Sequence, residues 1–108
     1  MILWHRTYKA AAESIFRNGF QDAHGTYMTG REHRGVWLSD QPLDSNEGAC
    51  GDVLLRVNLA CREGEIADYE WVEEGKGYRE WLIPAALLNS RAKISRRPDP
   101  LRRRRRPR

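Results

Sequence analysis

Cysteine is almost missing from this 108-residue chain: Cys50 and Cys61 are the only two. Two thiols cannot build a disulfide framework. Neither they nor His24 and His33 stand at the short spacing of structural zinc sites, so no metal is expected. Long apolar runs are missing too. Nothing approaches the ~20 residues of a membrane-spanning helix, and the opening MILWHRTYK has no apolar core of a secretory signal. These absences point to a cytoplasmic protein with no membrane partner. The length allows one compact domain and leaves little room for a second. The sequence carries no signal that fixes an oligomeric state.

Acidic residues are missing from one end. Residues 91–108 hold Arg91, Lys93, Arg96, Arg97, Arg102 to Arg106 and Arg108 against the single acid Asp99, a local charge of +9. The whole chain carries +4, so residues 1–90 carry −5. Three prolines and almost no apolar residues go with that basic run, which predicts a disordered arginine-rich tail over 91–108 behind an acidic globule over 1–90. Such a tail suits nucleic acid, whose phosphates bind cations by counterion release. A dispensable terminus is the equally weighted alternative.

What is present is β-rich, with one clear helix. Alternation makes Ile2 to Thr7 a strand, with Leu3, His5 and Thr7 on one face and Ile2, Trp4 and Arg6 on the other. Trp4 reads as a core aromatic. Ala11, Ala12, Ile15 and Phe16 form a helical stripe that Gly19 ends, with Phe20 folding back. Gly25 to Gly30 reads as a short strand or loop, and Gly35 to Asp40 as a strand with Trp37 and Ser39 on one face. Val53 to Leu59 is the strongest strand. IADYEWV reads as another, and YREWLI as the last, stopped by Pro84 before a short helical turn. The class is α+β.

One charge stands out. Glu80 lies amid Tyr78, Trp81, Leu82 and Ile83, and an unpaired buried carboxylate costs several kcal/mol. Alternation sets it on a face with Tyr78 and Leu82. Together with His5 and Trp37 it would give a cleft an imidazole, an indole plane and a carboxylate. That set suits an aromatic cationic ligand and an oxocarbenium-like transition state.

LWHRT followed by AAESIFRNGF, then GVWLSD, then YREWLIP resemble, in order, the three motifs of ADP-ribosyltransferases of the diphtheria-toxin and poly(ADP-ribose) polymerase branch. The resemblance covers residues 3–84. It implies an ADP-ribosyltransferase-like split antiparallel β-sheet with one early helix, and NAD as substrate. His5 would bond the nicotinamide ribose, the backbone of Arg6 would hold the carboxamide, and Thr7 would support that turn. Trp37 would pack on the nicotinamide, and Ser39 would be in reach of substrate. Glu80 would be catalytic, stabilising the cation as nicotinamide leaves. ADP-ribose would go to an acceptor, or to water in an NAD glycohydrolase. The sequence departs from the pattern at Arg6, where the family has glycine, and at Trp37, where the branch has tyrosine. A second stacking tyrosine has no counterpart between Gly48 and Asp52, a place Tyr27 or Tyr8 would have to fill.

Three bland readings stand beside these. Glu80 is then an edge carboxylate paired with Arg79, Arg56 or Lys76, His5 a satisfied core histidine, and Ser39 the cap of a turn. Two other functions also remain open. One is a non-catalytic module that holds nucleic acid through the arginine tail. The other is an NAD-dependent RNA 2′-phosphotransferase-like enzyme, which Glu80 and the lack of a separate basic domain disfavour.

Overall fold

The computed structural model describes residues 1–26, 32–44 and 49–98. Tyr27 and the arginines from Arg102 onward lie outside them. The elements are β1 (Ile2–Thr7), α1 (Lys9–Asn18), β2 (Ala23–Thr26), β3 (Glu32–Ser39) and β4 (Val53–Leu59), followed by a 3-10 helix (Glu63–Tyr69), β5 (Glu70–Trp71), β6 (Glu80–Ile83), α2 (Ala85–Arg91) and β7 (Ala92–Arg97). The strands make an antiparallel sheet ordered β5-β6-β3-β1-β4-β7, with β2 paired to β3. The α+β class expected from the sequence is the class observed.

Register sorts the side chains. His5 lies opposite Leu55, Leu3 opposite Val57, and Val57 opposite Ile94. That face carries Leu3, Val36, Leu38, Val57, Leu59, Trp81 and Ile83, all buried with Phe20, Ile66 and Leu88 in one cluster. Ala12 of α1 joins Val53 and Leu55 in a second. The other face carries Trp4, Arg6, Trp37, Ser39, Arg56 and Glu80. Leu54 also lies there and is nonetheless buried, so β4 begins covered on both sides.

The helical stripe is narrower than its sequence suggests. Ala12 is buried and Ile15 packs on the core, but Ala11 is exposed and Phe16 is 52% exposed. The line through Ala12 and Ile15 meets β4, and the residues flanking that line face solvent. Gly19 ends α1 at φ 87°, its N–H donating to Ile15 O at 2.8 Å. Asn89 of α2 then clamps the turn. Its Oδ1 accepts from Phe20 N at 2.7 Å, and its Nδ2 donates to Phe20 O at 3.0 Å. Asp22 Oδ1 accepts from Ala85 N at 2.7 Å, satisfying one of the donors left open at the start of α2.

Three expectations are corrected. IADYEWV is mostly 3-10 helix: Glu65 reaches back to the Arg62 N–H at 2.9 Å, Ile66 is its only buried residue, and just Glu70 and Trp71 pair with β6. YREWLI is not the last strand, and it pairs only from Glu80. The chain beyond Arg91 does not leave the fold at once. Ala92–Arg97 forms β7, pairing with β4 from Leu54 to Leu59 and packing Ala92 and Ile94 on the core. β4 needs a partner on that edge, since its open backbone groups would otherwise flank a buried apolar strand.

Candidate active site

β1 and β3 meet at a single register pair, Trp4 with Ser39. Two residues further into β3, the Trp37 carbonyl bonds a side chain: His5 Nδ1 lies 2.8 Å from it. A carbonyl oxygen only accepts, so Nδ1 carries the hydrogen. Burial holds His5 below the usual histidine range, with the bond to Trp37 opposing the shift. The ring is therefore neutral near pH 7 and keeps a lone pair on Nε2. Phe20 stands edge-on to it, with ring centroids 5.6 Å apart.

His5 and Trp37 stand at the partition between two cavities. One, on the helix side, has a volume of about 250 Å³ and is lined by Thr7, Ile15, Phe20 and Val36 among others. The second opens on the other face, measures about 160 Å³, and is lined by Trp4, Arg6, Ser39, Leu43, Cys50 and Glu80 as well as the shared pair. This second cavity thus gathers five of the residues singled out from sequence: His5, Arg6, Trp37, Ser39 and Glu80. Thr7 is buried and lines the first cavity instead. Tyr27 lies outside the described residues.

Leu43, Ala49 and Cys50, from the chain after β3, roof the second cavity. Arg6 Nε donates to Leu43 O, and its Nη1 donates to Gly51 O at 3.3 Å. The guanidinium thus latches the segment at both ends to β1. Gly51 has φ 129°, and a Cβ there would stand 2.1 Å from Thr7 O, so the return to the sheet requires glycine. Ser39 Oγ donates to Gln41 O at 2.7 Å, the turn-capping role weighed for it.

Glu80 opens β6, opposite Ser39 on one side and Trp71 on the other. Asp40 fixes the approach: its Oδ1 accepts from Arg79 N at 3.0 Å, and its N–H donates to Arg79 O at 3.1 Å. The Glu80 side chain is 16% exposed and accepts from Lys76 Nζ at 2.6 Å. Burial favours the neutral amine of Lys76, but Glu80, with Tyr78 and Glu73, outweighs it and holds the ammonium above its ordinary range. Arg79 is engaged elsewhere. Its fork takes Glu70 at 2.9 and 2.7 Å and Glu63 at 2.9 Å, and lies 4.9 Å over the Trp81 ring.

Sequence reasoning missed three residues here. Trp4, taken as core, is only partly buried and walls the cavity on the face away from the core. Alternation had already put it opposite Leu3, which is the signal that marks it. Cys50, one of the two thiols, is exposed and lines the cavity. Trp71 stands edge-on to Trp37 with centroids 5.4 Å apart and also meets the His33 ring, so it braces the indole. No protein-family model, curated protein or solved structure matches the chain.

Proposed function

We propose that this protein cleaves the bond between nicotinamide and ribose in NAD and transfers the ADP-ribosyl group. The observation that carries this reading is the meeting of His5, Trp37 and Glu80 around one cavity at the place where β1 and β3 part. A cavity of about 150 Å³ admits a benzene-sized ring, and this one measures about 160 Å³. It suits the nicotinamide end, with the rest of the dinucleotide lying outside.

In this reading Trp37 offers its indole to the nicotinamide ring. The bare Nε2 of His5 accepts a hydrogen bond from a ribose hydroxyl. The C1′–N bond breaks with both electrons going to nicotinamide, which leaves neutral. The Glu80 carboxylate, oriented by Lys76, stabilises the cation at C1′. An acceptor nucleophile then adds to C1′ and releases a proton; with water the outcome is NAD hydrolysis. Arg6, where the family has glycine, serves the roof through its side chain.

The test is release of labelled nicotinamide from NAD by the full chain, beside Glu80→Gln. Loss of one such stabilising group costs about 10²-fold or more in rate. A drop of that size with an unchanged melting curve supports the assignment. Equal turnover by Glu80→Gln overturns the role of Glu80, and no NAD binding overturns the reaction.

A further inference from the structure

Charge is segregated across the sheet. At the β5 end stand Glu63, Glu70 and Glu73, engaged with Arg79, Trp71 and Lys76. At the β7 end the face turned away from the core is basic. Register lines up Trp4, Arg56 and Ser95 in one row and Ile2, Asn58 and Lys93 in the next, with Arg97 beside Leu54. Asn58, Lys93 and Arg97 are exposed, while Trp4, Arg56 and Ser95 are partly so. Among the described residues no carboxylate lies within 4 Å of Arg56, Lys93 or Arg97. Lys93 and Arg97 are four residues apart on one strand, about 13 Å, with Arg56 on the neighbouring strand between them. An indole is set beside this row. The sequence then continues past Pro98 with six more arginines.

We propose that the open face of β1, β4 and β7 binds single-stranded nucleic acid. Arg56, Lys93 and Arg97 take successive phosphates, and a base stacks on Trp4. Unpaired cations with one aromatic platform are what a single strand needs, because its bases are free to stack and its backbone follows a basic groove. A duplex hides its base faces and gains nothing from Trp4. Trp4 also walls the cavity beside Glu80, so a strand on this face ends at the cavity mouth.

The experiment is a salt-titrated anisotropy measurement on the full chain. Its probes are labelled single-stranded RNA and DNA 20-mers, the matching duplex, heparin, and vesicles rich in anionic lipid. The single strand is expected to bind tightest. Arg56→Gln, Lys93→Gln and Arg97→Gln together should weaken it at least tenfold. The slope of log K against log salt should fall by about 2, since each single-strand phosphate contact contributes about 0.7. Trp4→Leu should weaken the single strand but not heparin, and Trp4→Phe should restore it. Melting curves identify any variant that fails to fold, and the charge variant, altered only at the surface, tests the face by itself. The proposal is overturned if the triple variant binds like the natural chain, which leaves the binding to the terminal arginines. It is also overturned if duplex, heparin or vesicles bind as tightly as the single strand.

Discussion

The imidazole of His5 is kept neutral by burial, and this ties stability to pH. Its folded pKa lies below 6.5, so as pH falls the unfolded chain takes the proton first. The contribution is whole above pH 6.5 and is lost as pH drops beneath it. Glu70 behaves differently: Arg79 holds its carboxyl below the usual 4.5, so its contribution is lost only under about that pH. Between pH 7 and 5 the melting temperature should therefore fall in the natural chain and stay flatter in His5→Asn, which keeps an amide donor for Trp37 O but does not titrate. Equal slopes by calorimetry would remove His5 as the cause. Much at this scale was legible in the sequence. Alternation alone sets Glu80, Trp37 and Ser39 on the face opposite the core. What alternation could not give is the partner of each polar group: Lys76 for Glu80, the Leu43 and Gly51 carbonyls for Arg6, and the Trp37 carbonyl for His5 all depend on how segments return in space.

Among the elements, Asn89 of α2 clamps the turn that ends α1. Asn89 makes both bonds to the Phe20 backbone, one as acceptor and one as donor. Asn89→Ala should cost about 1–2 kcal/mol for the two bonds, lowering the melting temperature by roughly 4–15 °C in a domain of this size. An unchanged melting temperature would show the clamp to be idle. β1, α1 and β4 were readable because their apolar spacing is carried by several residues each. The 3-10 helix was not, because Tyr69, Trp71 and Val72 give the segment strand propensity while only Ile66 is buried. Propensity is a weak guide where one contact decides. β7 was hidden for the converse reason. AKISRR is polar and carries just two apolar anchors, and it becomes a strand because β4 beside it needs its hydrogen bonds satisfied.

For the whole molecule, the division of the chain therefore moves. The sheet includes Ala92–Arg97, so the folded part does not stop at Ser90. A chain ended after Arg91 uncovers the entire outer edge of β4, and it should lose its cooperative melt and aggregate. A chain ended after Pro98 should melt like the full length. Equal behaviour of the two truncations, followed by circular dichroism and sedimentation, would show that β7 does not hold the sheet. The basic strand is thus fixed to the sheet, and Arg97 at its end lies beside Leu54, whose partner in β1 is Arg6. No helix among the described residues is long and apolar enough to cross a membrane.

The Arg6 latch has a consequence for how the site can change. It grips main-chain oxygens at Leu43 and Gly51, and a carbonyl is the same whatever side chain its residue bears. At Ala49 and Cys50, which line the cavity, the side chain can therefore change without altering the atoms that Arg6 grips. The lining those two positions contribute can thus be exchanged while the partition of His5 and Trp37 stays in place.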